Sequence, residues 1–335
     1  MKFDFCIGNP PYQEETVSDS TRKPPIYNNF MDAAYGIANK VEFITPARFL
    51  FNAGYTPKSW NEKMLNDEHF KVLSYEPDSS KIFANTDIKG GVIVSYRDEN
   101  RNYGAIEIFT KYPELNAILK KVRRTTSQYL DSIISSPLSY KVSQLMLDEH
   151  PNTVGRLRTS AFSKLAEIFH DSVPDDGKEY IGMIGLLDGK RVTKYVRKDY
   201  IIDSSGTLEK YTLLVAKANG AGYFGETLSE FTIAEPGIGY TQTFIGIGKC
   251  ESRQEALCIG KYIKGKFARS LLGVLKITQD CPGPKWKFVP LQDFTSSSDI
   301  DWSVSVKAVD QQLYKKYSLS NEEVNFIETH VKEMV

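Results

Sequence analysis

Apolar and polar side chains alternate at the start of the chain, where Phe3, Phe5 and Ile7 are separated by single residues. A period of two predicts a β-strand. Apolar residues then recur at helical spacing over 27–39, and a short apolar run at 41–46 ends at a proline, which predicts a helix followed by a strand. Further strands are predicted at 71–75, 90–96 and 105–109. Because strands alternate with helices, we expect an α/β architecture in this part of the chain.

The remainder of the chain lacks this alternation. We therefore expect the first domain to end at residue 125, with a helical connector over 126–154. Apolar runs typical of strands dominate 155–300, which predicts a mixed α+β domain. A helical tail follows over 301–335, and Ser320 with Glu323 forms a capping box that begins its last amphipathic helix.

Composition and charge exclude several classes of protein. Of the 335 residues 41% are hydrophobic, and 42 basic residues balance 42 acidic ones, so any nucleic-acid binding must come from a local basic patch. The four cysteines form no Cys-x-x-Cys pair and the four histidines lack ligand spacing, so we expect neither a metal site nor a disulfide framework. No apolar run is long enough for a membrane span and the first residues do not resemble a signal peptide, so we expect a cytoplasmic protein.

The first predicted strand leads directly into Gly8-Asn9-Pro10-Pro11-Tyr12, and this loop carries the most specific chemistry in the sequence. Its two prolines fix φ and donate no hydrogen bond, so the loop is stiff. The Asn9 amide oxygen and the Pro10 backbone carbonyl are two acceptors at one place, suited to both N–H groups of an exocyclic amine. The Tyr12 ring offers a face on which a base taken out of a duplex can stack. The structural alternative is a tight Pro-Pro turn with a packed tyrosine.

The loop resembles the amino-methyltransferase motif Asp/Asn/Ser-Pro-Pro-Tyr/Phe, and with asparagine first it is similar to that of adenine-N6 DNA methyltransferases. The resemblance implies that Asn9, Pro10 and Tyr12 are catalytic and that S-adenosylmethionine is the cofactor. The strand before the loop supports this interpretation, because ligands bind at the carboxyl ends of strands in open α/β sheets. Weaker contacts with the adenine are implied for Pro11, Tyr27 and Phe30.

Later segments resemble the target-recognition end of Eco57I-type restriction-modification methylases, in the order in which that family carries them. The resemblance implies a partial Rossmann-like methyltransferase sheet followed by a mixed α+β target-recognition domain, with double-stranded DNA as the partner. The segments are Phe244-Ile-Gly-Ile-Gly, 260–272, 287–294, Asp301-Trp302 and 310–328.

In that family the S-adenosylmethionine half precedes the Asn-Pro-Pro-Tyr loop, whereas eight residues precede Asn9 here. We therefore expect site-specific adenine-N6 methylation in which this chain is a fragment or subunit, completed by an N-terminal methyltransferase half or a partner chain. Alone, the chain is expected to be inactive. The alternative is a non-catalytic DNA specificity subunit that works with a partner methyltransferase or endonuclease.

A locally basic region lies in a predicted hairpin, in which 180–187 and 190–198 flank Asp188-Gly189, a dipeptide typical of tight turns. Over 190–217 there are seven basic residues and three acidic ones, interleaved with tyrosines. This pattern predicts a surface that faces duplex DNA, and a solvated edge strand protected by lysines is the alternative. The predicted DNA-binding residues are Lys190, Arg191, Lys194, Arg197, Lys198 and Lys217.

Two further patterns are too weak for an assignment. Phe244-x-Gly-x-Gly imitates a loop that holds S-adenosylmethionine, but no acidic residue ends a following strand, as a ribose contact would require. Pro77-Asp78 with Asp87-x-Lys89 fits a loose pattern of metal-dependent nucleases, and the sequence from Asp87 onward fits the methyltransferase interpretation better. The cofactor-binding residues therefore stay unassigned, and no metal ligand is predicted.

Overall fold

The structure is a computed structural model that describes residues 2–14, 24–52, 55–84, 88, 90–153, 157–158 and 160–334. The chain divides into two compact units, unit 1 over 1–116 and unit 2 over 117–335. This division falls inside the helix Pro113–Thr125. The boundary predicted at residue 125 places the entire helix in the first domain. The predicted connector and the predicted helical tail both lie in unit 2.

Unit 1 is built on four strands and two helices, and a third helix leads into unit 2. They are β1 (Phe3–Gly8), α1 (Tyr27–Ile37), β2 (Ala38–Pro46), α2 (Lys58–Asn66), β3 (Phe70–Glu76), β4 (Val92–Asp98) and α3 (Pro113–Thr125). The strands form one mixed sheet in the order β1-β2-β4-β3. β1 and β2 run parallel, with Gly8 beside Phe43, and β4 is antiparallel to both of its neighbours. α1 supplies the crossover that parallel neighbours require.

The two faces of this sheet differ in what covers them. On one face, Val41 and Phe43 of β2 pack with Met31 of α1 and Met64 of α2 in a buried core. Side chains alternate along β1, so Phe3, Phe5 and Ile7 lie on the other face, where they are 67%, 51% and 72% exposed. β1 is also an edge strand, since among the described residues it pairs with β2 alone. Within the described residues, this apolar parallel strand therefore pairs along one edge only and exposes one face.

The strand predicted at 105–109 is wrong. Glu107 has a φ of 53°, a left-handed conformation that a strand does not allow. Its N–H donates to the Leu65 carbonyl at the end of α2 at 2.7 Å. Ile106 and Phe109 still pack against the core of unit 1. The apolar pattern therefore arises from burial of an irregular segment and not from pairing in a β-sheet. The other strands predicted in unit 1 are confirmed by β1 to β4.

Unit 2 contains short sheets and six helices within the part that the structure describes. The sheets have the orders β11-β10-β13-β5, β12-β7-β8 and β6-β9. The strands are β5 (Ile134–Ser135), β6 (Tyr140–Val142), β7 (Tyr180–Leu187), β8 (Lys190–Arg197), β9 (Ile201–Asp203), β10 (Tyr211–Ala216), β11 (Thr232–Ala234), β12 (Ile238–Tyr240) and β13 (Phe244–Cys250). The helices are α4 (Gln144–Glu149), α5 (Ala161–Lys164), α6 (Arg253–Lys264), α7 (Lys266–Leu272), α8 (Val306–Lys316) and α9 (Asn321–His330).

Two local predictions in unit 2 are confirmed. β7 and β8 form an antiparallel hairpin around Asp188 and Gly189, whose φ angles of 49° and 74° suit a tight turn between twisted strands. The capping box also forms, since the Ser320 N–H donates to Glu323 Oε2 at 2.7 Å and the Glu323 N–H donates to Ser320 Oγ at 3.3 Å. Turn and cap chemistry act over a few residues, which is why sequence alone predicts both.

The mixture of helices with mixed and antiparallel sheets confirms the predicted α/β class. In the part of the chain that the structure describes, every helix is too short or too polar to cross a membrane.

Candidate active site

The Asn-Pro-Pro-Tyr loop lies at the sheet edge where β1, β2 and β3 end. Because β1 and β2 are parallel, they leave the sheet on the same side, with Gly8 beside Phe43. Pro46 and Glu76 both lie beside Val92, so β3 ends and β4 begins at this edge. The edge thus gathers the loop over 9–12 with the segments that follow β2 and β3, the arrangement in which open α/β sheets bind ligands.

Asn9 and Pro10 keep their acceptors available. Asn9 is exposed and Pro10 is buried, so the proline anchors the loop while the asparagine side chain faces solvent. In the described part of the chain, neither the Asn9 amide nor the Pro10 carbonyl takes part in a hydrogen bond. Acceptors that the fold does not use, on a backbone fixed by two prolines, are suited to a ligand with two N–H donors.

Tyr12 is held at its backbone and by its ring. Its carbonyl accepts the Ile26 N–H at 3.2 Å, and the Glu14 N–H donates to Pro24 at 3.1 Å, which ties the loop to the segment before α1. The ring meets the Phe83 ring edge to face, with centroids 6.3 Å apart. Desolvation of the half-buried ring raises the pKa of Tyr12 to about 12, so the phenol is neutral at physiological pH.

Phe83 is a candidate site residue that the sequence did not reveal. It follows a 3-10 turn, Ser79–Lys81, after β3, and reaches Tyr12 across 71 residues of chain. Its N–H donates to the Ser79 carbonyl at 2.8 Å, which fixes the backbone. Only the folded arrangement of β1 and β3 brings the two rings together, and no spacing rule in the sequence would have indicated the pair.

Three buried polar atoms near this edge lack hydrogen-bond partners among the described residues: the Tyr12 hydroxyl, Asn28 Oδ1 and Thr45 Oγ1. Thr45 is next to last in β2, and Asn28 lies in the first turn of α1, which begins at the same edge because α1 is the crossover from β1 to β2. An unsatisfied buried polar group costs about 1–3 kcal/mol, so a water or ligand that reaches these atoms is favoured. Thr45 had one sequence signal, a polar residue at the end of an apolar run.

The residues predicted as weaker adenine contacts occupy different environments. Tyr27 is 3% exposed and packs against Phe49 and Trp60, with ring centroids 6.2 and 6.3 Å away, so the fold uses it in the core. Phe30 and Pro11 are exposed. Contact of any of the three with adenine remains a prediction.

The predicted DNA-binding cations do not form one surface. Side chains alternate along β8, so Lys190 and Lys194 lie on the face of the buried Val196, whereas Arg191 and Arg197 lie on the opposite face. Four of the six predicted cations have carboxylate partners. The pairs are Lys194–Asp171 at 2.7 Å, Arg197–Glu149 at 2.8 Å, Arg197–Asp199 at 2.7 Å, Lys198–Glu179 at 3.3 Å and Lys217–Asp280 at 3.8 Å.

Arg191 is also engaged within the fold. Its guanidinium donates to the Glu230 carbonyl at 3.0 Å and to the Thr232 hydroxyl, and it lies over the Phe244 ring at 5.2 Å from the centroid. Lys190 is exposed at the start of the strand, with no ion pair within the described residues. Three of the five hairpin cations are therefore compensated by carboxylates, and all three have a partner that is distant in sequence, namely Asp171, Glu149 or Glu179.

The Gly-rich segment from Phe244 does not fit an S-adenosylmethionine loop. The Gly-rich segment from Phe244 is the buried strand β13, paired with β10 and β5. A Cβ on Gly246 would lie 2.4 Å from the Tyr240 hydroxyl, and one on Gly248 would lie 2.6 Å from Ile259, so these glycines permit close packing rather than ligand approach. Unit 1 offers acceptors for an amine at its sheet edge, and the Gly90-Gly91 pair at that edge is packed closely, since a Cβ on Gly90 would lie 3.0 Å from Arg48 Cγ and one on Gly91 2.5 Å from the Glu76 carbonyl oxygen.

No group of three or more histidine, cysteine or carboxylate side chains in the described ranges could hold a metal ion. Asp87 and Lys89 of the nuclease-like pattern lie outside the described residues.

Comparison with known proteins supports the interpretation of the N-terminal loop. A model of the Eco57I restriction-modification methylase family matches residues 1–83. An uncharacterized adenine-specific methylase of Mycoplasma pneumoniae (strain ATCC 29342 / M129 / Subtype 1) is 30% identical over 115 residues, which cover 33% of this chain and 27% of that protein. These matches confirm the resemblance predicted for the N-terminal part of the chain, and the matched part spans about a quarter of the curated relative's length.

A solved structure of the Type IIL restriction-modification enzyme MmeI in complex with DNA aligns over 98% of this chain and 56% of its own, with a TM-score of 0.35 and 9% identity.

Proposed function

We propose that this chain provides the base-binding part of an adenine-N6 DNA methyltransferase of a restriction-modification system. The observation that carries this proposal is the pair of unused acceptors, the Asn9 amide oxygen and the Pro10 carbonyl, on a stiff loop beside the Tyr12 ring. The match of residues 1–83 to the Eco57I methylase family supports it.

The proposed role of each residue follows from its chemistry. The target adenine leaves the duplex, and its amino group donates one N–H to Asn9 and the other to Pro10, which orients the nitrogen lone pair away from the loop. Tyr12 stacks on the base, and Phe83 limits how far the Tyr12 ring can turn. Orientation and proximity then supply most of the rate enhancement, without a general base of shifted pKa. S-adenosylmethionine would supply the methyl group when a cofactor site is present.

The exposed side of β1 supports a completing sheet half. Parallel strands are ordinarily buried on both faces, yet Phe3, Phe5 and Ile7 are exposed and the outer edge of β1 has no partner strand among the described residues. We propose that further strand and helix segments cover this side, either from the same polypeptide or from a partner, and carry the cofactor site.

Double-stranded DNA is the proposed substrate and partner. The cations of the β7–β8 hairpin are retained as proposed DNA contacts, with Lys190 the most available because no carboxylate pairs with it in the described part of the chain. The other cations already have partners within the fold, and these partners compete with DNA phosphates. We therefore expect each of these cations to contribute little to DNA affinity.

A second candidate function is a DNA specificity subunit without catalysis. The absence of a cofactor loop from the described residues favours it, since such a subunit would depend on a partner for methyl transfer.

Calorimetric titration of S-adenosylmethionine tests both proposals. We expect no heat of binding with this chain alone, and binding once a cofactor-binding half from a related adenine methylase is added. Mass spectrometry of nucleosides from plasmid DNA then measures N6-methyladenine whatever the target sequence is. Methylation by the mixture that is undiminished by Asn9→Ala would contradict the proposed catalytic role and favour the specificity subunit. Tight binding by the chain alone would contradict the proposed lack of a cofactor site.

A further inference from the structure

A second basic surface forms in unit 2 from two segments that are distant in sequence. The end of α3 contributes Arg123 and Arg124, and the 3-10 turn Gly283–Trp286 with the residue after it contributes Lys285 and Lys287. We name these four residues the Phe288 patch, after the ring that Arg123 and Lys287 both approach.

Backbone hydrogen bonds fix the two segments beside each other. The Leu130 N–H donates to the Val289 carbonyl at 2.8 Å, and the Leu291 N–H donates to the Gln128 carbonyl at 3.0 Å. An isolated bridge joins Tyr129 and Pro290. Because the backbone holds this register, the side chains on both segments are presented together whether or not a ligand is bound.

One aromatic ring lies against two cations of the patch. The Arg123 guanidinium lies 5.4 Å from the centroid of Phe288, and the Lys287 ammonium lies 5.9 Å from the same centroid. Phe288 is 7% exposed, so the ring is fixed in the core and the cations rest on it. The shared ring therefore fixes where the end of α3 and the second segment meet, because a cation over an aromatic face is attracted to it.

The patch differs from the β7–β8 hairpin in its charge balance. Arg124 and Lys287 are exposed and Lys285 is partly exposed. None of these three forms an ion pair with a carboxylate among the described residues. Arg124 in the last turn of α3 also complements the helix dipole, but that role does not account for the lysines of the second segment.

We propose that the Phe288 patch binds the DNA phosphate backbone and supplies the main electrostatic contact of unit 2 with duplex DNA. The choice of duplex DNA as the partner rests on the proposed function. Exposed cations without a recognition pocket fit phosphates, which position a protein on the duplex and carry no sequence information. Ser127, which is exposed, lies close to the arginines in sequence and adds a hydroxyl donor of the kind that phosphate oxygens accept.

The test is binding of a fluorescein-labelled random-sequence duplex to the full chain, followed by anisotropy at several salt concentrations. The patch variant carries Arg124→Gln, Lys285→Gln and Lys287→Gln. A control variant carries Lys63→Gln, Lys210→Gln and Lys316→Gln, which removes the same charge from lysines that are paired with Asp32, Glu251 and Asp299 and have no proposed role in DNA binding. Thermal unfolding confirms that both variants remain folded.

We expect the patch variant to bind about tenfold more weakly or worse, and to lower the slope of log K against log salt by about 0.9 for each phosphate that is no longer neutralised. The control variant should change affinity by less than about threefold, since its cations release few counterions. Restoring charge with Arg124→Lys, Lys285→Arg and Lys287→Arg should restore binding.

Equal affinity and equal salt slope in the patch variant and the wild type would overturn the inference while leaving DNA as the partner. A wild-type chain that binds no duplex would instead overturn DNA as the partner, and with it both proposals. Displacement of the chain from DNA by polyglutamate at least as well as by competitor duplex would favour an acidic protein as the occupant and overturn the phosphate assignment.

Discussion

The Asn-Pro-Pro-Tyr loop and the basic strand β8 are equally plain in the sequence, but folding treats them differently. In the loop the acceptors of Asn9 and Pro10 stay unused in the described structure. In β8 the cations are divided over two faces, and Lys194 and Arg197 are paired with Asp171 and Glu149. The comparison shows that a site made by consecutive residues survives folding, whereas a charge pattern can be cancelled by residues far along the chain.

The physical reason lies in the range of each interaction. Two prolines determine the loop geometry locally, so nothing distant is needed to direct its acceptors. A cation attracts any carboxylate that the fold brings near, and Asp171 and Glu149 reach β8 from separate segments. The net charge of a segment is therefore a weaker guide to function than the chemistry of a rigid loop.

The largest expected effect is on methylation. Asn9→Ala removes one of the two acceptors and should lower methylation by the completed enzyme about 100- to 1,000-fold, the range seen when one preorganised polar contact is removed from an active site. Asn9→Asp is the matched control, because it keeps a side-chain oxygen at the same position and should retain more activity than the alanine variant. Since Asn9 is exposed, thermal unfolding should be unchanged in both. Equal activity in the alanine and aspartate variants would contradict the acceptor role.

The next effect concerns the rigidity of the sheet edge that carries the loop. Gly91 has a φ of 79°, and a Cβ there would lie 2.5 Å from the Glu76 carbonyl oxygen and 2.8 Å from the Pro77 Cα. Both are backbone atoms, so Gly91→Ala must displace the end of β3, and we expect a loss of about 3 kcal/mol in unfolding free energy.

Gly104→Ala is the matched control, which separates the cost of a left-handed backbone from the cost of a steric clash. Gly104 has a φ of 78° with nothing within 4 Å of the place that an alanine methyl group would take, so its substitution carries only the left-handed penalty of about 1 kcal/mol. Chemical denaturation of the two variants measures the difference. If Gly91→Ala destabilises the protein no more than Gly104→Ala, the end of β3 moves easily to admit the methyl group. The sheet edge would then support the Asn-Pro-Pro-Tyr loop less rigidly than we infer.

Sequence predicts this molecule well where the determinants are local. Alternation located β1, the Asp188-Gly189 turn located the β7–β8 hairpin, and Ser320 with Glu323 located the start of α9. It fails where contacts join distant segments. The contact of the Phe83 ring with Tyr12, and that of Arg123 with Phe288, join segments whose approach no spacing in the sequence indicates. Residues 105–109 fail for a third reason, since apolar residues buried in an irregular turn look like a strand.

A smaller effect is expected from the Tyr12 hydroxyl. It is buried without a partner in the described structure, so Tyr12→Phe keeps the stacking face and removes an unsatisfied group. We expect methylation within about threefold of wild type and an unfolding free energy at pH 7 equal or higher by up to about 1 kcal/mol. Tyr12→Ala should lose methylation, because the stacking face is gone.

The same variant has a pH signature of definite sign. Burial raises the pKa of Tyr12 from 10.0 to about 12, so the neutral phenol is favoured in the folded state. The contribution of Tyr12 to the unfolding free energy is fully present below pH 10 and is lost as the pH rises towards 12. The wild type should therefore lose stability relative to Tyr12→Phe between pH 10 and pH 12. Denaturation at pH 8 and pH 11 measures it. An equal difference at both pH values would show that the ring is more exposed than described.

The smallest effect tests the cancelled charge of β8 directly. The Lys194 ammonium donates to Asp171 at 2.7 Å and lowers the pKa of that carboxyl. Lys194→Gln should therefore return the pKa of Asp171 towards its usual range, which NMR titration measures, while changing DNA affinity by less than about twofold because the cation was already paired. Lys190→Gln is the matched control on the same face of the strand, where the structure describes no ion pair, and it should weaken DNA binding more than Lys194→Gln. The reverse order would mean that the Asp171 pair opens to bind phosphate, and that the charge of β8 is less cancelled by folding than its contacts indicate.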